Sequence, residues 1–494
     1  MLTREQFQTI YDQGPDAVFF VLSAVQEQIN ALQAEVAALQ EQIALLSAQV
    51  KEREDREGKD SHNSHKPPSS DGLSKKPVSL RPHTGRKPGG QRGHEGSTLT
   101  LSEAPDALIF HTPLACSSCG TALDPAVAQD TGQRRQVLDL PPLRLVVTEH
   151  RTASCCCPKC GEQTVGTFPV EVTQPVQYGS RVAGLAVYLS AFQLLPFARI
   201  ATFFADVFAA PLSPGTLTAF TERAASSLTP VCQQIQSALR SAPVVHCDET
   251  GLRIAGKLHW LHSAGTQTLT HYFPHAKRGK VGMDAAGILP HFTGTAVHDG
   301  WVSYAAYSCR HALCNAHHLR ELTALSEAGG QEWAKAMRSL LSQMHRTVQD
   351  ARANRQSRLP LRREAQFEGE YRRLLTLGWK ANPPPLPPAL KRRGRVKQSA
   401  ARNLLARLQQ GEAAVLRFLH DFAVPFDNNL AERDVRMAKV KQKISGCFRT
   451  FLGGMAFCRI RSYVSTLRKQ GQPLLRALQS VFEGHPLQPN FMPE

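Results

Sequence analysis

Pro243-Val244-Val245-His246-Cys247-Asp248-Glu249-Thr250 is a short apolar run that reaches a carboxylate, and its reading decides the fold. Paired valines behind a proline suit a buried strand rather than a helix. Working outward, Lys257-Leu258-His259-Trp260-Leu261-His262-Ser263 and Leu269-Thr270-His271-Tyr272-Phe273 alternate apolar and polar residues as strands of a meander would. Gly294-Thr295-Ala296-Val297-His298-Asp299-Gly300-Trp301 reads as a further strand ending on a second aspartate. Ala312-Leu313-Cys314 then leads into a helix at His317-His318-Leu319-Arg320-Glu321-Leu322.

Three strands, a fourth ending in Asp, then a strand and a helix is the order of an RNase H-like α/β core. In that order the first strand and the end of the fourth are neighbours, so Asp248 and Asp299 can share a metal ion. A third carboxylate is offered by Asn428-Asn429-Leu430-Ala431-Glu432-Arg433. Glu432 sits on a helix that Asp427 or Asn428 would cap, among Arg433, Arg436, Lys439, Lys441 and Lys443. Three carboxylates drawn from distant parts of a chain are what two-metal phosphoryl chemistry requires. Asp427 and Asp434 compete as the third, and Glu432 could simply pair with Arg436 one turn on. A lone Asp at a strand end is more often a turn former. The weight lies in the order of the three.

Residues 326–425 exceed what such a core needs and read as a helical insertion, with 331–378 rich in helix formers. Pro383-Pro384-Pro385-Leu386-Pro387-Pro388 interrupts it. Lys391-Arg392-Arg393-Gly394-Arg395-Val396-Lys397 follows, where Arg392 and Arg393 suit phosphate contact or a solvated loop. Residues 426–450 form the glutamate-bearing segment, and 451–494 read as a Gly453-Gly454 turn with a helical tail.

The N-terminal half is modular. From Val18 to Val50, apolar residues recur in alternating steps of four and three (Leu22, Val25, Ile29, Leu32, Val36, Leu39, Ile43, Leu46), the seam of a coiled coil spanning 1–57. Residues 58–100 are rich in Ser, Pro, Gly, Lys and His and read as a basic linker. In 101–170, Cys116-Ser117-Ser118-Cys119-Gly120 and Cys157-Pro158-Lys159-Cys160-Gly161 are two CxxC knuckles, a structural zinc-ribbon signal. Cys155 and Cys156 could each replace Cys157, although only Cys157 has the knuckle spacing. Between the knuckles, Gln136–Leu140 and Leu143–Val147 suit short strands. Within 171–240, Phe197–Phe208, a break, and a helix capped by Ser213 with Pro214 at its first position suit a helix-turn-helix or a packed hairpin.

A formal net charge of +17 favours an anionic polymer as partner. No apolar run is long enough to span a bilayer and residues 1–20 lack a signal-peptide pattern, so the chain reads as cytoplasmic and nucleoid-associated. In that compartment its 12 cysteines are not expected to form disulfides.

Taken together, these strings closely resemble the insertion sequence 66 family of bacterial DDE transposases, over nearly the whole length. The likeness includes the coil, Asn63–Gly72, Arg86-Lys87-Pro88-Gly89-Gly90-Gln91, both CxxC knuckles, Asp248-Glu249-Thr250, His298-Asp299-Gly300-Trp301, Cys314-Asn315-Ala316-His317 and Asn428–Arg433. The resemblance implies that Asp248, Asp299 and Glu432 are the catalytic triad holding two Mg²⁺ (or Mn²⁺), with one structural Zn²⁺ on Cys116, Cys119, Cys157 and Cys160. It implies cleavage at transposon ends and joining of the 3′ ends to target DNA. Terminal inverted repeats, target DNA, a homodimer through the coil and accessory transposition proteins are the implied partners. Cys314 and His317 match an element read as structural support for the site. Where the family often carries an Arg-Lys-Asn-like string, this chain has Val440–Arg449, in which Lys443 is the strand-contacting candidate beside Arg433 and Arg436. A zinc-containing DNA-binding regulator and an RNase H-like nuclease without strand transfer are the rival readings.

Overall fold

The Ala255-Gly256 pair has φ of 49° and 74°, and a two-residue turn with both central φ values positive matches the right-handed twist of strands. It closes a long hairpin. The computed structural model that contains it describes residues 3–57, 93, 96, 98–384 and 398–491. In chain order, helices α1 (Arg4–Asp12) and α2 (Pro15–Glu57) precede strands β1 (Ser154–Cys156) and β2 (Gln163–Val165). Next come α3 (Ser180–Val187), α4 (Phe197–Phe208), α5 (Pro214–Ser227) and α6 (Thr229–Arg240). Strands β3 (Val244–Ile254), β4 (Lys257–Gly265) and β5 (Thr270–His275) lead to α7 (Lys280–Ala286), β6 (Thr295–His298), β7 (Arg310–Leu313) and α8 (Asn315–Gly329). The remaining helices are α9 (Glu332–Ala353), α10 (Leu361–Ala381), α11 (Ala400–Gln410), α12 (Glu412–Val415), α13 (Arg417–His420), α14 (Asn429–Ser445), α15 (Phe451–Lys469) and α16 (Leu474–Phe482). They divide into two units, Met1–Leu80 with Gly294–Asn429 and Arg81–Thr293 with Leu430–Glu494.

In the second unit β3, β4 and β5 form the expected antiparallel meander, with Asp248 opposite Ser263 and Ser263 opposite Tyr272. Strand β3 runs to Ile254, four residues beyond the stretch quoted above, because Leu252 and Ile254 continue the buried face. That face packs on α14 and α15 through Ala438, Phe457 and Cys458. Gly454 lies in the first turn of α15, where an added β-carbon would sit 2.9 Å from the Ile254 side chain. The expected Gly453-Gly454 turn is therefore helix, and its glycine permits close packing on β3. Nor is α15 a tail: its residues from Ala456 to Leu467 are buried, apart from a partly covered Arg459.

Edge strand β5 is closed by that helix. Tyr272 N donates to Ser462 Oγ (2.9 Å) and Thr270 N to Thr466 Oγ1 (3.0 Å). One helical turn and two strand residues both advance about 6 Å, so hydroxyls four apart match amides two apart. Edge amides that would otherwise recruit another chain are satisfied internally.

The opposite face of the meander carries His262 and His271. His262 is buried with Nε2 3.2 Å from Lys277 O, whereas both His271 ring nitrogens are shielded and have no partner among the described residues, even though the residue as a whole is only partly covered. Burial pushes each ring down to about 4. A depressed folded value means that unfolding takes up protons below the ordinary value of about 6.5. Stability is thus full above that pH and falls as pH drops toward 4, by about 1.4 kcal/mol per pH unit for each histidine. Denaturant midpoints measured over this window should show the loss, and a His271→Phe variant should show a shallower one.

Helices α4 and α5 form the expected helix, break and capped helix: Ala209 ends α4 with φ 52°, and Ser213 Oγ accepts from Thr216 N (3.0 Å). Leu217, Phe220, Ala224 and Ala225 of α5 are buried. Its exposed face offers Thr218, Ala219, Glu222 and Arg223, which carry no net charge. The packed-hairpin reading accounts for α5 as it stands.

In the first unit, β6 and β7 pair in parallel. The insertion has its own core around Trp333, Leu341, Tyr371, Leu404 and Phe418. The stretch read as helical over 331–378 forms two helices, separated after Ala353, where Arg355 takes φ 58°. Helix α2 begins at Pro15 after Gly14 (φ 99°) and presents Leu22, Val25, Ile29, Leu32, Val36, Leu39, Ile43 and Leu46 to solvent. No described helix is long and apolar enough to cross a membrane. Most of the 58–100 linker, including Asn63–Gly72 and Arg86–Gln91, lies outside the described residues, as do Arg392 and Arg393.

Candidate functional site

Asp248 and Glu249 are neighbours in sequence and face opposite ways. Side chains alternate along a strand. Asp248 therefore shares the face of Leu252 and Ile254, which packs on α14, while Glu249 shares the other face with Cys247. There Glu249 is buried and bound by Arg278 (Nη2 to Oε1, 2.7 Å), whose guanidinium lies 4.9 Å from the Trp260 ring. Asp248 is only partly covered, and one of its carboxylate oxygens accepts from Glu249 N (2.8 Å).

Glu432 lies in the first turn of α14, which runs along β3 in the same unit. Lys439 Nζ donates to Gly251 O (2.6 Å) and, beyond the helix, Phe448 bridges Ile254 in parallel. From Lys439 back to Glu432 is seven helical residues, and from Gly251 back to Asp248 is three strand residues. Each path is about 10 Å. The first turn of α14 therefore comes level with Asp248 on the face it covers.

The competing carboxylates have structural work. Asp434 Oδ2 is 2.8 Å from Lys469 Nζ, which also donates to Thr266 O and Leu269 O, and Tyr272 donates its hydroxyl to Asp434 O (3.0 Å). Asp427 Oδ1 accepts from Asn429 N (3.1 Å), the first amide of α14. Arg433, Arg436 and Lys443 are all exposed on α14.

Asp299 belongs to the first unit. Its Oδ1 accepts from Trp301 N (2.9 Å) across Gly300, whose φ of 88° suits glycine. The preceding His298 anchors this turn: Gly300 N donates to His298 Nδ1 (3.0 Å), which leaves the proton on Nε2 to meet His311 Nδ1 (3.0 Å). His311 Nε2 then donates to Tyr307 O (3.0 Å), and the His298 ring stacks on Tyr304 at 4.2 Å. Burial pushes His298 down to about 3, in keeping with that neutral tautomer. This relay went unread in the sequence because its partners are spaced irregularly.

Cys314 is buried and its amide donates to His298 O (2.9 Å). Its sulfur accepts from Asn428 N (3.2 Å), while Asn315 N donates to Phe426 O (3.0 Å). The segment that starts α14 is thereby tied to the end of β7. His317 N closes the local turn on Cys314 O (3.2 Å).

The two CxxC segments share one geometry. Cys116 N donates to Thr121 O (2.9 Å) and Gly120 N to Cys116 O (2.9 Å); Cys157 N donates to Glu162 O (2.8 Å) and Gly161 N to Cys157 O (2.9 Å). Gly120 and Gly161 take φ of 74° and 76°. Hydrogen bonds from Thr121, then Cys116, hold the Cys119 thiol down to about 7, and bonds from the Cys160 and Lys159 backbone lower Cys157. Lowered thiols suit a cation. Cys155 and Cys156 lie in β1, paired with Thr164 and Gln163, so only Cys157 holds the knuckle position. No three of the four sulfurs lie within 4.8 Å of one another among the described residues. The expected strands at Gln136–Leu140 and Leu143–Val147 do not form: Val137, Val146 and Val147 are exposed and find no partner, and the pairing is made by β1 and β2 instead.

Comparison with known families adds to this geometry. Residues 113–166 match the zinc-finger binding domain of transposase IS66, and residues 22–100 match a family of unknown function. No curated protein gives a significant match. Residues 175–456, more than half of the chain and the span that carries β3, the insertion and α14, match the transposase IS66 family, to which the chain therefore belongs.

Proposed function

We propose that the chain cleaves DNA at transposon ends and joins the freed 3′ ends to target DNA, with Asp248, Asp299 and Glu432 as the catalytic carboxylates of an RNase H-like core. The observation that carries this is the matched register of Asp248 on β3 and the Glu432 turn of α14. The antiparallel meander and the parallel β6–β7 pair are the parts such a core requires. Partly covered carboxylates fit hard cations such as Mg²⁺ or Mn²⁺. When bound, such a pair of ions would activate water or a 3′-hydroxyl and stabilise the leaving oxygen of an in-line displacement. The chain's own part is positional. Lys439 and the Phe448 bridge hold α14 on β3, and the His298–His311–Tyr307 relay fixes the turn that carries Asp299.

Arg433, Arg436 and Lys443 supply phosphate contacts on the exposed side of α14, and Arg392 and Arg393 add to them. Cys116, Cys119, Cys157 and Cys160 hold one structural Zn²⁺. The chain acts on nucleoid DNA in the cytoplasm. Metal-dependent cleavage and joining of a labelled transposon-end duplex, with Asp248→Asn, Asp299→Asn and Glu432→Gln beside the parent, tests the assignment. Binding without cleavage by the parent would return the regulator reading, and cleavage without joining the nuclease reading.

The coil is proposed as the homodimer contact that holds two ends together, because its apolar seam is exposed along α2. Light scattering over a concentration series should show self-association that is lost on deleting residues 1–57. A deletion variant that still dimerises would sink this contact.

A further inference from the structure

The tip of the β3–β4 hairpin is stitched to the turn between α14 and α15. Phe448 N donates to Arg253 O (3.0 Å), and Ala255 N donates to Phe448 O (2.8 Å). Ile254 thus pairs with Phe448 on one side and with Lys257 across the hairpin on the other. Ala255 is held in a left-handed conformation that a β-carbon disfavours, and this bond to Phe448 fixes it there. Three backbone segments lie side by side at one rigid corner.

That corner carries Arg253, Lys257 and Arg449, with Lys443 at the end of α14, and all four are exposed. Among the described residues none of the four is in an ion pair. The sequence explains why: there is no Asp or Glu from Thr250 to Met283, nor from Val435 to Phe482. Like charges fixed together without counter-charges favour a polyanion. Arg253, Lys257 and Arg449 sit on three adjacent backbone segments rather than around a pocket, which favours a linear one.

We propose that this corner grips the phosphodiester backbone of duplex DNA flanking the cleaved bond. This placement rests on the reading of Asp248 as catalytic. The Arg253 backbone lies five residues along β3 from that of Asp248, about 17 Å at the rise of a strand, and the duplex is proposed to run along that strand. At 3.4 Å per base pair, that is about five base pairs of duplex. The phosphates gripped at the corner are those about five base pairs from the cleaved position.

Phosphate contacts are independent of sequence and release counterions, so the first test needs only a labelled random-sequence duplex and a salt series. The full-length Arg253→Gln/Lys257→Gln/Arg449→Gln variant should bind with a slope of log affinity against log salt reduced by about 2.7, from about 0.9 per phosphate contact. All three side chains are exposed, and a circular dichroism melt matched to the parent excludes misfolding. The single charge reversal Lys257→Glu should lower affinity in the same direction. An unchanged slope in both variants overturns the proposal. So does a change of oligomeric state at unchanged slope, since exposed Leu258, Phe451 and Leu452 nearby would then mark a surface for a second copy.

The second test is ethylation interference on the element's own end. Interference about five base pairs from the cleaved position, present for the parent and lost in the triple variant, supports the placement. A reduced slope with interference at another distance would keep the grip and overturn its placement, and with it the use of Asp248 as the origin.

Discussion

Replacing Asp248 by Asn, or Glu432 by Gln, is expected to abolish metal-dependent strand cleavage while leaving DNA binding and thermal stability near the parent values. A metal ligand supplies several kcal/mol of transition-state charge stabilisation. Taking about 4 kcal/mol, the loss is about 10³-fold in single-turnover cleavage. The stability half of this expectation follows from position. Both carboxylates are partly covered rather than buried, and their neutral isosteres keep the shape and an acceptor oxygen. The informative control is Asp434→Ala, which should do the reverse. It strands Lys469, whose side chain is 16 % exposed and whose ammonium burial already pulls below its usual range. Breaking such a pair costs about 3 kcal/mol, so the variant should melt early yet still cut. If Asp434→Ala were the one that stopped cleavage in folded protein, the third carboxylate would be Asp434 and the α14 register used here would be wrong.

The second large effect concerns zinc. Cys157→Ser is expected to lose one equivalent of zinc and to unfold residues around the two knuckles, whereas Cys155→Ser and Cys156→Ser should keep the metal. Structural zinc contributes about 10–16 kcal/mol in small modules, more than a segment with so many exposed apolar residues can supply by packing. Zinc content by mass spectrometry and protease resistance of residues 101–170 would read this directly. Retention of zinc by Cys157→Ser with loss in Cys156→Ser would reassign the ligand. Chelation should reproduce the Cys157→Ser phenotype while leaving the melting of the β3–β5 meander unchanged.

Much of this molecule was legible before folding. The four-and-three seam of α2, the Ser213-Pro214 start of α5, the three strands of the meander and the two knuckles are local patterns, and local patterns follow from side-chain period and turn chemistry. So was the shared turn of the two CxxC segments, since a two-residue spacer and a following glycine fix the local bend. The sequence also settled that two long segments of a basic chain contain no acid at all, which neither folding nor packing can alter.

Other assignments waited for tertiary structure. Asp427, Glu432 and Asp434 lie on one short stretch with the same chemistry, and nothing within it tells them apart. Lys469 arrives from another helix to pair with Asp434, and Asp427 accepts from Asn429 N at the start of α14. Gly453-Gly454 looked like a turn because glycine pairs usually break helices. The close approach of Ile254 shows why they sit inside one. The strands expected between the knuckles failed for the converse reason: a β-prone run needs a partner, and Val137 and Val147 found none. Period, spacing and charge are properties of the chain and were readable from it. Which of several similar carboxylates meets a distant cation depends on partners far away in sequence, and only the fold brings those partners in.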